Sequence, residues 1–432
     1  MKKISAVVFL LASASQTFAQ SGTNSPYSQF GLGTLVEQTS GFNRGMNGLG
    51  LGFRERNQVN FLNPASYSGL DSLSFIFDAG ASLQMTHFSE NGMKKNANNA
   101  NFDYIVGAFR AAKNVGVSFG LIPLTSVGYN YSNTSTIGVS SSAVTTSTNT
   151  YNGEGGLRQA YLGVGWQPLK GLSVGANISY LWGSYEKSVV NSYNDASIKT
   201  LSQYYTADIR SYKFDLGLQY TAKVSKKDWL TIGATFSPGH DIGGNPELNI
   251  ISTNNQTGVA DTLSYNKGLS YSLPTSFGVG FSWNRNNRLK FGVDYTQQRW
   301  SSVEAPLYVV TNNVGAYEMK GNLFNDRHKV TVGADYCPQE NGRNFFKRMH
   351  YRGGVSYTTP YVKVNGVNGP KEISASLGFG MPIINSYNNR SMLNVSVQWV
   401  NSSATSLIKE NVFRINIGLT FNERWFMKWK VE

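Results

Sequence analysis

One cysteine, Cys337, occurs in 432 residues, which excludes an intramolecular disulfide framework and a multi-cysteine metal site. It falls at the end of an alternating segment, where a small apolar filler is expected. The four histidines, His87, His240, His328 and His350, are far apart and show no HxH or HExxH spacing, so no metal or other cofactor is indicated. After the N-terminus no stretch holds eighteen apolar residues in a row, which excludes a helical membrane span. Charged residues make up only 15% of the chain. The formal charge is +13, but the basic residues are spread along the chain and form no cluster with stacking aromatics. That pattern argues against nucleic acid and fits a protein lying among the anionic headgroups of outer-membrane lipid and lipopolysaccharide.

The chain opens with two lysines, an apolar run from Ile4 to Ala14 and Thr17-Phe18-Ala19. These are the three regions of a secretory signal peptide, residues 1–19, and predict export after cleavage behind Ala19. The rest is rich in 24 Tyr, 24 Phe, 8 Trp and 45 Gly. Aromatics and glycine with modest hydropathy are what a membrane β-barrel needs, since only alternate residues face lipid.

From Asp71 onward, segments alternate with a period of two. In Leu172–Trp182, Leu172, Val174, Ala176, Ile178, Tyr180 and Trp182 form one face; Ser173, Gly175, Asn177 and Ser179 form the other. Tyr212–Tyr220, Leu289–Thr296 and Phe413–Asn422 repeat the pattern, with aromatics at the ends of the apolar faces, as two interfacial girdles require. Strands are predicted near 72–88, 99–112, 115–131, 156–167, 171–186, 204–222, 228–238, 268–283, 288–303, 324–337, 348–362, 371–384, 391–401 and 411–422. Connections leaving odd strands are mostly long and polar, such as Ser132–Gly155, Lys187–Gln203, Gly239–Lys267 and Glu304–Leu323. Those leaving even strands are mostly tight. A barrel with one extracellular and one periplasmic rim shows this alternation. The expected fold is all-β: a fourteen-stranded antiparallel transmembrane barrel over 71–424, with a periplasmic tail at 425–432.

Ahead of the strands lies GFNRGMNGLGLGFRERNQVNFLNPASYS, Gly41–Ser68, with neither a strand nor a helix period. Its apolar residues are too many for a solvated tether, and Asn63-Pro64-Ala65 supplies a turn. Residues 20–70 are expected to form a plug inside the barrel. Pro123 interrupts the third strand; it removes a ladder donor and implies a bulge or kink, which the nearby Gly120 tolerates, and its position alone fits a strand end better than a gap in the wall.

Several motifs resemble catalytic ones without their context. Gly48-Leu-Gly50-Leu-Gly52 has no strand before it and no helical period after it. GxSxG occurs at Gly116–Gly120 and Gly171–Gly175, in or beside strands and not at a strand-to-helix turn. No enzyme is expected. Asp215, Asp294 and Asp335 point to the predicted lumen, where pairing with Lys213, Lys290 and Lys329 accounts for them.

Three stretches, FNRGMNGLGLGF with NFLNPASYSGLDSLSFIFDAGASL, LPTSFGVGFSWNRNNRLKFGVDYTQQRWSSV, and NDRHKVTVGADYCP with YRGGVSY, resemble the FadL/TodX family of outer-membrane channels. The resemblance implies a lumenal N-terminal hatch turned by Asn63, Pro64 and Ala65. It also implies capture of a hydrophobic small molecule and a lateral opening at a kink in strand 3, where Gly120 and Pro123 stand. The implied function is passive uptake of long-chain fatty acids or other hydrophobic compounds across a Gram-negative outer membrane. Apolar hatch residues Phe42, Met46, Leu49, Phe53, Phe61 and Leu62 are the expected ligand contacts. No basic residue can be matched to a carboxylate-binding position, and the chain does not finish on an aromatic residue. The alternative is a barrel of this kind acting as a shuttle or scaffold that binds a secretion-system protein.

Overall fold

The computed structural model describes residues 22–140, 143–266, 268–312, 314–384 and 390–424. The expected signal segment and C-terminal tail lie outside them. The barrel wall comprises β1 (Ser74–Glu90), β2 (Met93–Ala112), β3 (Val115–Pro123), β4 (Thr125–Ser140), β5 (Ala143–Leu169), β6 (Leu172–Tyr193), β7 (Thr200–Lys223) and β8 (Asp228–Ser237). It continues through β9 (Ser276–Arg285), β10 (Leu289–Gln298), β11 (Arg327–Tyr336), β12 (His350–Thr358), β13 (Lys371–Ile384), β14 (Arg390–Ser403) and β15 (Lys409–Arg424). The strands pair antiparallel around the wall, β3 and β4 each pairing with β5, and β15 returns to β1 through pairs such as Phe77↔Phe421, closing the ring. Because β3 and β4 share one place in the wall, the barrel has fourteen positions. Closure leaves no edge running the full height of the wall, which is how a sheet satisfies its backbone in lipid.

The two-residue period sets the two faces. Ile178, Leu216 and Ile417 are about half exposed on the outside, whereas Asn177, Gln219 and Thr420 are buried in the lumen. Asn177 stands opposite Asp215, and Ile178 opposite Phe214, so the apolar faces of β6 and β7 are in register.

Several long connections prove to be strand. The expected loop Ser132–Gly155 is the upper part of the β4–β5 hairpin. The Gly239–Lys267 connection carries the strands Glu247–Thr253 and Ala260–Tyr265, which extend the sheet from β7. Glu304–Leu323 carries the hairpin Ala305–Thr311 and Val314–Lys320. β-Branched Thr and Val favour extended backbone even where both faces are wet. The first hairpin also runs further than expected, turning at Asn91-Gly92, both at positive φ, the preferred pair for a two-residue hairpin loop. Conversely, the expected strands 268–283 and 288–303 are shorter; Pro274 precedes β9, and a 3-10 turn at Trp300–Ser302 follows β10.

Residues 22–70 occupy the lumen. They form short helical turns at Pro26–Gln29, Gly41–Arg44 and Pro64–Gly69, and a two-residue strand, Thr34–Leu35. Two apolar layers surround them. Toward the long-loop, extracellular end, Leu32 packs with Val127, Leu157, Tyr185, Trp300 and Phe324. Toward the periplasmic end, Phe61 and Tyr67 pack with Leu70, Ile76, Tyr104 and Tyr161, beside a cluster of Phe42, Met46, Leu49 and Phe53.

Candidate functional site: a lumenal chamber at a break in the wall

The third wall position is discontinuous. β3 pairs with both β2 and β5, from Ile105↔Leu121 downward on the β2 side. Above Pro123, β4 pairs with β5 but makes no pairing with β2 among the described residues. Proline has no N–H to give, so the ladder ends there naturally. Opposite the break, β2 bulges between Phe102 and Tyr104, its ladder to β1 passing from Gly80↔Tyr104 to Ala81↔Phe102. A bulge adds a residue and re-aims it; here Asp103 turns inward to Arg44, 2.8 Å away.

The N-terminal segment covers the freed backbone. Thr34 pairs with Ser126 and Leu35 with Thr125. Val36 N–H donates to the Leu124 carbonyl at 3.0 Å, and the Gln38 amide reaches the Pro123 carbonyl at 3.5 Å. Further along, Gly22 N–H donates to Ser126 Oγ at 3.0 Å, and the Asn24 amide to Asn99 on β2 at 2.5 Å. The segment thus spans the space between β2 and β4.

Behind the break lies a chamber of about 610 Å³. Its inner wall includes Glu37, Lys213, Asp215, Lys329, Gln398 and Arg414. At the break it is bordered by Asn101, Asp103, Leu121, Pro123, Arg158 and Trp182. Trp182 stacks on the exposed Tyr180 outside the barrel, with ring centroids 5.8 Å apart. The chamber therefore reaches residues of both faces of the wall.

Glu37 is the electrostatic centre of the chamber. Its carboxylate accepts from Lys329 Nζ at 2.9 Å and from the Gln398 amide at 3.1 Å. Burial works to raise its pKa, but Lys329, Arg44 and the Gln398 hydrogen bond overcome burial and hold it at about 2. Sequence pattern gave no hint of Glu37, an isolated acid in an irregular stretch. The expected lumenal pairing holds for Lys213 with Asp215. It fails elsewhere: Lys329 pairs with Glu37, Lys290 with Glu55, and Asp335 with Arg352 and His350. Asp294 accepts instead from the N–H groups of Gly50 and Leu51 at 2.7 and 2.8 Å.

Of the expected ligand contacts, Leu62 borders the chamber. Phe42, Met46, Leu49 and Phe53 are nearly inaccessible and pack on one another, and Phe61 joins the tyrosine cluster below. They form the floor. Asn63 fixes the turn that follows: its Oδ1 accepts from Ala65 N–H at 3.1 Å, and its amide donates to the Leu51 and Leu218 carbonyls at 2.9 and 3.1 Å. Pro64 and Ala65 lie against the wall where only glycine fits, since a Cβ on Gly175 would collide with their backbone. Gly120 is equally confined, by the Ile105 carbonyl and Val106. Of the GxSxG serines, Ser118 is bonded to the Gly107 carbonyl and the Tyr161 hydroxyl, and Ser173 accepts from Arg54.

A closed antiparallel barrel of fourteen wall positions is the fold of the FadL/TodX-type outer-membrane channels. The toluene transporter TodX of P. putida superposes with a TM-score of 0.61 at 13% identity, over 91% of this chain and 100% of that one. A Pseudomonas aeruginosa FadL homologue gives 0.62 at 12% identity, over 90% and 99%. The CymD monoaromatic hydrocarbon channel gives 0.59 at 15% identity, over 90% and 99%. No curated protein sequence matches the chain. By sequence the chain belongs to the BamG family, whose profile matches residues 1–432.

Proposed function

We propose that this protein is an outer-membrane channel for passive uptake of hydrophobic small molecules, long-chain fatty acids among them. Residues 20–70 act as its hatch, and ligand leaves sideways at the break in the third strand. The observation that carries this reading is the chamber's reach, from Glu37 and Lys329 inside to Pro123 and Trp182 at the wall. The structural relatives are described as a toluene transporter and a monoaromatic hydrocarbon channel, which supports a hydrophobic cargo. A lipophilic solute crosses a closed ladder only where backbone pairing is relieved, and here pairing at the break is supplied by the hatch. Release of Thr34–Gln38 then opens the path while the barrel stays closed elsewhere.

The test locks that strand. Thr34 and Ser126 are antiparallel partners, a spacing of about 4.5–5.5 Å between Cα atoms that suits a disulfide. Thr34→Cys/Ser126→Cys, on a Cys337→Ser background, is reconstituted in vesicles, and uptake of toluene and of a fluorescent long-chain fatty acid is measured. Uptake under reducing conditions that stops on oxidation supports the gate. Equal uptake in both states defeats the lateral route, and no uptake above protein-free vesicles in the unmodified protein defeats the channel.

The second reading, a protein-binding scaffold, draws on the hairpins beyond the outer rim, where Ile137, Leu263, Val310 and Val314 are exposed. A stable partner that co-purifies, with no uptake, would favour it.

A further inference from the structure

We propose that the outer rim of the break is a binding site for a phosphorylated headgroup of the extracellular leaflet. Its donors are Arg158 and Arg210, placed on either side of Trp182. The register fixes this group: Arg158 on β5 stands opposite Trp182 on β6, and Trp182 opposite Arg210 on β7. Directly opposed residues share one face, with Cβ atoms about 4.5–5.5 Å apart. That face is the outer one, since the next residues down, Tyr180 and Tyr212, are both half exposed.

Height above the membrane follows from the same strands. The apolar outer face of β6 runs from Leu172 to Tyr180 and Trp182. At about 3.3 Å per residue and a tilt of about 40°, it covers a band of roughly 25 Å. Arg158, Trp182 and Arg210 therefore stand at the upper border of the hydrocarbon, where lipid phosphates lie. Below them, Tyr180, Ile178, Tyr212 and Phe214 offer an apolar surface for acyl chains. This favours a lipid over free phosphate.

Three features mark this rim as a site. Arg158 and Trp182 border the chamber as well as the outer face. Arg210 has an acidic neighbour, Asp208, 3.2 Å away, but both side chains are more than half exposed, so the pair is screened and open to exchange. His240 stacks on Tyr212 at 4.5 Å, completing an aromatic shelf beside the cations. Guanidinium groups suit phosphate because they offer two parallel donors. A lipid held here lies beside the break, its headgroup on the arginines and its chains along β5–β7.

The site is read by binding, so its failure is distinct from a failure of transport. Purified barrel in mild detergent is titrated with bis-phosphorylated lipid A and with the same lipid stripped of phosphate, and bound lipid is counted by native mass spectrometry. The comparison is with Arg158→Gln/Arg210→Gln and with Arg158→Lys/Arg210→Lys, each checked for heat-modifiable migration. Expected is preferential retention of the phosphorylated lipid, lowered about thirtyfold in the Gln variant and largely kept in the Lys variant. Phosphate-free lipid should bind all three equally. Equal retention of the phosphorylated lipid by the wild type and the Gln variant overturns the proposal. So does equal binding of the two lipids by the wild type.

Discussion

Replacing Glu37 by glutamine should loosen the hatch and leave the barrel intact. The Glu37 carboxylate and the Lys329 ammonium are each less than one-fifth exposed and 2.9 Å apart. Removing one partner of such a pair strands the other charge, at a cost of about 3–5 kcal/mol when burial is complete; residual exposure brings this to roughly 2–4 kcal/mol. The pKa gives a similar figure. Glu37 falls from 4.5 to about 2 on folding, which corresponds to stabilisation on the order of 3 kcal/mol. Because the folded pKa is the lower one, this stabilisation is present above pH 4.5 and is lost as pH falls toward 2. Three kcal/mol is roughly a hundredfold in the population of any state with the hatch detached. The assay is conductance in planar bilayers, with heat-modifiable migration as the control for an intact barrel. Wild-type conductance should rise as pH falls from 4.5 to 2; Glu37→Gln should conduct more often at neutral pH and lose that rise. Glu37→Gln/Lys329→Met removes both charges and should return toward wild-type closure. Unchanged conductance in the single variant, or a double variant leakier than the single one, would refute the argument.

Ile178→Arg puts a cation against lipid at mid-height and should destabilise the barrel by about 2–4 kcal/mol in urea titrations of refolding into bilayers. Gly175→Leu should open the lumen to ions, because a side chain there displaces Pro64–Ala65; Ala176→Leu, on the exposed face, should not. Cys337 is 1% exposed and touches the Lys347 and Arg348 carbonyls, so a maleimide should label it only after heating in SDS.

What the sequence made legible follows from where its signals are local. Leu172–Trp182 has one face in lipid and one in the lumen, and that asymmetry writes itself as alternation. Pro123 announces a ladder that cannot continue, and the wall breaks beside it at Leu124. The upper half of the β4–β5 hairpin has no such asymmetry. Thr134, Ser135 and Thr136 are all exposed, so period two carries no information and the stretch resembles a loop. Asn91-Gly92 was a readable turn signal that the polar run after it concealed. Charge pairing was the least legible. Asp294 finds its donors on Gly50 and Leu51, more than 240 residues away, and the Lys329 partner arrives from an irregular segment with no period to place it.

The N-terminal segment joins the closures of the lumen into one piece of chain. Leu32 belongs to the upper apolar seal, with Trp300 and Phe324. Two residues later, Thr34 and Leu35 pair with β4 at the break; two more bring Glu37 to Lys329 in the chamber. Phe42 and Met46 then enter the floor. A displacement of Thr34–Gln38 cannot leave its neighbours unmoved, because an extended chain spans only about 3.3–3.6 Å per residue and these anchors lie a few residues apart. Freeing the break therefore strains both the upper seal at Leu32 and the ion pair at Glu37. The energetic coupling is carried by a continuous backbone and not by a relay of side chains. It follows that weakening the ion pair and breaking the strand pairing at Ser126 act on the same equilibrium. Their effects on hatch opening should be non-additive, as neighbouring sites in one cooperative unit are.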